Sequence, residues 1–219
     1  VVESADVPCI YVLAGTNGAG KSSIAGAAFH ERGGDYFNPD VAARRILETD
    51  PSLTQEQANS AAWHQGRRLL ERAIAERLNF AFETTLAGST MTGLLEQALA
   101  HGIEVRVWYA GLSSPELHIA RVRKRHSRVG HDIAEADIRR RYETSRINLI
   151  RLLPRITELR VYDNSVEADP ERGKSPQPRL VLHMVRGRIA NPKNLAGTPQ
   201  WAKPIVAAAL RLAELREPS

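Results

Sequence analysis

Residues Gly15-Thr16-Asn17-Gly18-Ala19-Gly20-Lys21-Ser22 fill every position of a G-x-x-x-x-G-K-S pattern, and no other feature narrows the folds open to this chain as much. The apolar run Cys9 to Ala14 before it reads as a buried strand, and the small residues after it can open a helix. The glycines therefore fall at a strand-to-helix turn, where such a loop has to sit. Glycine at these positions lets backbone N–H groups converge on a chain of phosphates. Lys21 then carries a cation toward the β- and γ-phosphates, and the Ser22 hydroxyl suits Mg²⁺. The loop residues from Gly15 to Ser22, with Ser23 beside them, are the candidate nucleotide-binding residues, and ATP and Mg²⁺ are the implied cofactors. The bland alternative, a glycine-rich turn with a chance lysine, leaves both flanks unexplained.

Strands and helices alternate along the rest of the chain. Ser22 to Arg32 predicts a helix ended by Gly33-Gly34, which suit the left-handed residues past a helix terminus. Asp35-Tyr36-Phe37 reads as a short strand, broken by Asn38-Pro39-Asp40, from which a helix runs to about Glu48. Thr54 to Arg77 spaces its apolar residues near 3.6 and is the longest predicted helix. A strand over 79–85, a helix over 92–101 closed by Gly102, and a strand over 103–112 follow. Ser114-Pro115-Glu116 supplies a cap, a first-turn proline and an acidic first turn for a helix to about His126. Arg128 to His131 reads as a break, after which Asp132 and Glu135 form a cap-like pair for a helix reaching Arg151. A strand over 159–164, a surface loop over 167–178, an apolar strand from Arg179 to Val185 and an amphipathic helix from Pro204 to Leu215 complete the pattern.

This alternation implies parallel β-α-β units. The predicted fold class is α/β, a P-loop NTPase three-layer sandwich with a mainly parallel sheet and a helical, arginine-rich lid. At 219 residues the chain predicts one domain over 1–219, with the lid at about 115–150 and a C-terminal strand and helix at about 179–219. No apolar run approaches the roughly 20 residues that span a bilayer, and the first residues lack a basic and then apolar leader, so a cytoplasmic protein without a membrane partner is expected. Cys9 is the only cysteine, and its place in a strand predicts a buried thiol without redox chemistry. Residues 121–160 hold 12 Lys and Arg against 5 Asp and Glu. That patch suits phosphates of a small ligand, or else nucleic acid.

Ligands of open α/β sheets lie at the carboxyl ends of the strands, which gathers the phosphate loop, Asp40, Glu83-Thr84-Thr85 and the loop after Leu112 on one edge. Asp40 is the candidate general base for an acceptor hydroxyl, with a helix-capping role as the alternative. Glu83 is a candidate to orient Mg²⁺-bound water or grip the acceptor, and Thr84 and Thr85 to donate hydrogen bonds to phosphate. His118, Arg121, Arg125 and Arg128 recur three or four apart, so they share a helical face that can neutralise a transferring phosphoryl group. A solvated face whose arginines pair with Glu116 and Glu96 is the alternative. Of Arg139, Arg140 and Arg141, one can reach a ligand, and Asp137 is spaced to pair with Arg141. Asp163-Asn164 is a candidate lining for the adenine side, or else a surface loop. Guanine-selecting Asn-Lys-x-Asp is absent and Leu112 to Glu116 matches an ABC-type signature poorly, which leaves a small-molecule kinase as the leading class and a nucleic-acid-associated NTPase or ATP-binding module as the second.

The motifs taken together, Ala14 to Ser23, Phe37-Asn38-Pro39-Asp40, Phe82-Glu83-Thr84-Thr85, Arg128 to Ile133 and Ile138 to Tyr142, resemble the zeta-toxin family, with the likeness closest to its chromosomal branch of predicted ATPases. The resemblance covers about residues 9–165. It implies an ATP- and Mg²⁺-dependent kinase acting on the amino sugar of UDP-N-acetylglucosamine, with an antitoxin protein as a possible partner. Carried over by position, Lys21 resembles the phosphate-loop lysine, Asp40 the catalytic base, Glu83 with Thr85 the pair contacting the sugar nucleotide, and Arg121, Arg125 and Arg128 the lid arginines. The family commonly reads Gly-Gly-His where this chain has Val129-Gly130-His131, a difference that bears on lid flexibility.

Overall fold

Six strands, β1 (Cys9–Ala14), β2 (Phe80–Thr84), β3 (Glu104–Gly111), β4 (Glu158–Asp163), β5 (Arg179–Val185) and β6 (Arg188–Asn191), form one sheet in the order β2-β1-β3-β4-β5-β6. The computed structural model describes residues 7–24, 36–129, 133–166 and 177–216, with the backbone alone at 125–129. β1 to β4 run parallel, and β5 and β6 are antiparallel additions at one edge. The hairpin strand β6 is missing from the sequence reading because its four residues alternate too briefly to register. The expected strand at 35–37 shrinks to a single parallel bridge between Phe37 and Phe82, with Asp35 outside the described residues. Asn38 turns the chain into a helix at once, and Pro39 has no N–H to extend a ladder.

The helices are α1 (Pro39–Thr49), α2 (Gln55–Ala75), α3 (Ser89–Ala100), α4 (Pro115–Val129), α5 (Glu135–Leu152) and α6 (Lys203–Glu214), with a short 3₁₀ turn at Gln200–Ala202. Thr54 and Gln57 form a reciprocal capping box at the start of α2. The N-cap of α5 is Ala134, which offers no side-chain cap; of the expected Asp132–Glu135 pair, Asp132 lies outside the described residues and Glu135 is ion-paired with Arg123. The helix after the phosphate loop is described over 21–24; its expected remainder to Arg32, and Gly33-Gly34, lie outside the described residues, as does most of the loop expected at 167–178.

Because side chains alternate across a strand, each strand feeds two packing layers. Ile10, Val12 and Ala14 of β1 and Val105, Val107 and Tyr109 of β3 face the large core, with Leu95 of α3, Leu149 of α5 and Ile205 of α6. Leu13, Trp108 and Ala110 face the other way and pack with Ala19 and Ile24 of the phosphate-loop segment. The parallel register sets Ala14 beside Thr84 and Tyr109, and Gly111 beside Asp163. The carboxyl ends of β1 to β4 therefore share one edge, and the chemistry-bearing loops leave from there.

The 3₁₀ turn anchors the C-terminal segment to that edge. The buried Trp201 ring lies where a Cβ on Gly111 would be, and its indole N–H donates to Asp163 Oδ1 at 3.2 Å. Gly111→Val should drive that ring out of its slot and lower stability by about 1–3 kcal/mol, read as a lower urea midpoint at unchanged slope together with a red-shifted tryptophan emission. An unchanged midpoint would mean that the close approach is not needed.

Candidate active site

The phosphate loop bends through Gly15, Gly18 and Gly20 at φ of 139°, 79° and 77°, a left-handed path that a side chain would strain. Its first residue is tied to the sheet by Gly15 N–H donating to the Thr84 carbonyl at 3.2 Å. Lys21 is buried, and its ammonium donates to the Gly15 carbonyl at 2.7 Å and lies 3.5 Å from Glu83 Oε1. A cation out of water has to be paired, and Glu83 at the end of β2 pairs it. Ser22 and Ser23 are exposed beside it, and Thr16 and Ala19 are buried.

Glu83 leads to the candidate base. Its Oε2 accepts from Asn38 Nδ2 at 3.0 Å, and Asn38 Oδ1 accepts from the N–H groups of Asp40 and Val41 at 2.9 and 3.2 Å. Asn38 is thus the N-cap of α1 and Asp40 is not, which removes the capping alternative for Asp40. Asp40 stands exposed in the first helical turn. One side-chain amide joins the lysine's counter-ion to the backbone that carries the base. Beside it opens a groove of about 590 Å³, lined by Tyr36, Phe37, Asn38, Val41, Arg45 and Gln65 among others.

Thr84 and Thr85 are half-buried at the end of β2. Thr84 Oγ1 accepts from the Leu86 N–H at 3.0 Å, and the Thr85 carbonyl accepts from Ser145 Oγ at 2.7 Å. Asp163 and Asn164 do not form a surface loop. Asp163 is held by Ser165, Trp201 and Arg179, whereas the buried Asn164 amide donates to the Ala19 carbonyl at 2.9 Å and braces the phosphate loop from below.

Helices α4 and α5 close over the loop. His118 of α4 is 1% exposed, and its Nδ1 lies 2.7 Å from the Asn17 carbonyl. A carbonyl only accepts, so Nδ1 carries the proton. Burial pushes the imidazole down to about 4 against the pull of that carbonyl, and the nearby Lys21, Arg121 and Arg146 push the same way. Arg121 reaches the Val166 carbonyl at 3.5 Å. The side chains of Arg125 and Arg128 lie outside the described residues, as does the Gly130-His131-Asp132 segment.

Arg141 of α5 enters the site unassigned by the sequence reading. Its guanidinium donates to Asn17 Oδ1 at 2.8 Å, while its carbonyl accepts from Thr16 Oγ1 at 3.3 Å. The register of α5 could have singled it out. Ile138, Tyr142, Ser145 and Leu149 are buried, and Arg141 sits one turn from Ile138 and Ser145, beside that face, where Arg139 and Arg140 do not. Asp137 pairs with Arg140 instead of Arg141, and Glu116 and Glu96 are paired with Arg139 and Arg151. Most described arginines of the positive segment therefore have acidic partners or hold the phosphate loop.

The sequence pattern of the family described as Zeta toxin matches residues 2–169. A protein of Haemophilus influenzae described only as uncharacterized is 30% identical over 129 residues, 58% of this chain and 88% of that one. The fold is similar to that of the PezAT chromosomal toxin-antitoxin system of Streptococcus pneumoniae, with a TM-score of 0.57 at 16% identity over 98% of this chain and 90% of that one. It is also similar to the AvrRxo1-ORF1:AvrRxo1-ORF2 complex, with a TM-score of 0.63 at 13% identity over 95% and 76% with sulphate ions, and 0.61 at 14% over 93% and 64% with ATP.

His118 gives the fold a pH dependence whose sign follows from its depressed value. The unfolded chain binds the proton at the ordinary value near 6.5 and the folded chain only near 4, so its share of stability is present above 6.5 and lost as pH falls from 6.5 to 4. A loss on the order of 3 kcal/mol across that window is expected, and His118→Phe should flatten it in urea titrations at a series of pH values. An equal slope in both proteins would assign the acid sensitivity to other groups.

Proposed function

The chain belongs to the zeta toxin family, and on that premise we propose that it is an ATP-dependent kinase transferring the γ-phosphate to a hydroxyl of a nucleotide sugar such as UDP-N-acetylglucosamine. The observation that carries this reading is the unbroken line of contacts from Lys21 through Glu83 and Asn38 to the backbone of Asp40. It joins a donor-phosphate cradle to a carboxylate in the way phosphoryl transfer requires, since that chemistry rests on positioning and charge stabilisation.

In this reading the Asp40 carboxylate takes the proton of the acceptor hydroxyl. The acceptor oxygen bonds to the γ-phosphorus as the bond to the β–γ bridging oxygen breaks, and ADP leaves. Lys21 stabilises the β- and γ-oxygens, and Arg121 and Arg141, with Arg125 and Arg128 of the same lid, neutralise the phosphoryl group in flight. Gly15 to Ser23 cradle the phosphates, and Glu83, Thr84 and Thr85 grip the acceptor. The groove lined by Tyr36, Phe37 and Arg45 is of a size and polarity that suit a planar base or sugar carrying phosphate.

The Ser22 hydroxyl and the Glu83 carboxylate are hard oxygen donors beside Lys21, a set that suits Mg²⁺ completed by phosphate oxygens and water. When bound, the ion neutralises charge on the β- and γ-oxygens. One domain with its lid over about 115–150 fits this division of labour. An antitoxin protein is a reasonable partner, because the similar PezAT fold belongs to a toxin-antitoxin system. No described helix is long and apolar enough to cross a membrane, and we retain the cytoplasm as the proposed compartment.

Incubation with Mg-ATP and a panel of UDP-sugars, followed by ³¹P NMR and mass spectrometry, should yield a new monophosphate ester on one sugar. Lys21→Ala should abolish it. Asp40→Ala should lower kcat by about 10²–10⁴-fold with ATP affinity retained by calorimetry; normal turnover in that variant would remove Asp40 as the base, and ATP hydrolysis without a phosphorylated sugar would remove the acceptor class.

A further inference from the structure

The turn after β2 carries a strain that the phosphate loop does not explain. Leu86 is fully buried and non-glycine, yet its φ is 56°, a left-handed value a branched apolar side chain rarely adopts. Such a residue persists only where its surroundings over-determine it. They do so here from three directions. Thr84 Oγ1 accepts from the Leu86 N–H, Asn148 Nδ2 donates to the Leu86 carbonyl at 2.9 Å, and Ser145 Oγ donates to the neighbouring Thr85 carbonyl at 2.7 Å. The Ser145 hydroxyl is itself oriented by the buried Tyr109, whose phenol donates to it at 3.0 Å.

Ser145 and Asn148 both belong to α5, and they follow Arg141 by four and seven residues. Three residues so spaced lie on one helical stripe, about 10 Å long at 1.5 Å per residue. At one end Arg141 holds Thr16 and Asn17 of the phosphate loop. At the other end Ser145 and Asn148 hold the turn that follows Glu83 and Thr85. We propose that Ser145 and Asn148 are positioning residues which fix the acceptor-side turn, so that α5 sets the spacing between the phosphoryl donor and the hydroxyl that receives it. The proposal rests on the kinase reading for its consequence, and on the geometry of the turn alone for its cause. Neither side chain needs to touch a substrate.

The test compares Ser145→Ala and Asn148→Ala with Tyr109→Phe, which removes a hydroxyl from the same network but leaves the Ser145–Thr85 bond in place. Amide hydrogen exchange comes first, because it needs no substrate. Exchange over 84–88 should accelerate about tenfold or more in the two alanine variants, with 9–20 unchanged and Tyr109→Phe like the parent. In steady-state transfer to the sugar nucleotide identified for the parent protein, the alanine variants should lose about tenfold or more in kcat/KM for the acceptor while KM for ATP stays within twofold. Unchanged exchange over 84–88 would overturn the inference, as would acceleration across the whole chain. Local acceleration with undiminished acceptor kcat/KM would overturn the link to catalysis. If the parent phosphorylates no acceptor, the kinase reading falls with its catalytic consequence, while exchange still decides whether α5 holds the turn.

Discussion

A buried ammonium dictates the order of this site. Lys21 lies buried inside the glycine-rich loop, and a cation removed from water without a counter-ion would cost several kcal/mol. The chain meets this cost with the Gly15 carbonyl and the Glu83 carboxylate. Glu83 can be there only because β2 pairs in parallel with β1, in a register that sets Leu13 beside Glu83. The ammonium therefore couples sheet register to chemistry: a slip of one residue would turn Glu83 to the opposite face and leave the charge buried alone.

The same carboxylate relays order outward. Its second oxygen fixes Asn38, and Asn38 spends its remaining oxygen on the first free N–H groups of α1. A helix start is anchored to the counter-ion of the phosphate-loop lysine, so the backbone of Asp40 is tied to the Lys21–Glu83 pair. The lid closes the arrangement from above through Asn17, whose carbonyl meets His118 and whose amide meets Arg141. Neutral His118 serves here where a lysine would not, since a second fixed cation near Lys21 would be repelled by it.

Sequence made the frame legible where local signals and tertiary demands agree. The G-x-x-x-x-G-K-S loop, the buried β1 and β3, and the Ser114-Pro115-Glu116 helix start each follow from short-range chemistry, and the family resemblance is borne out by the match over 2–169. What stayed hidden depends on partners far along the chain. Asn38 reads as a turn residue until Glu83, 45 positions away, takes its amide. Among the consecutive arginines of α5 the helical register points to Arg141, but its partner Asn17 lies 124 positions away. Asp163, a candidate lining for the adenine side, is held by Trp201 and Arg179, neither of which any pattern around it announces.

The division between generic and particular parts follows from these contacts. Among the described residues, Lys21 is held by backbone and the Glu83 carboxylate, so in the proposed reaction the same contacts would serve any phosphoryl acceptor equally well. The groove beside α1 is different: Tyr36, Phe37, Arg45 and Gln65 line it, and of these the line of ion pair and hydrogen bonds from Lys21 to Asp40 uses none. Substitutions there can change which molecule is held without disturbing how the charge of the lysine is met. Asn38 belongs to both, lining the groove while holding Glu83. In the proposed reaction, an acceptor that pulled on its amide would be felt at Lys21, and one side chain would couple recognition of the acceptor to the electrostatics of the donor.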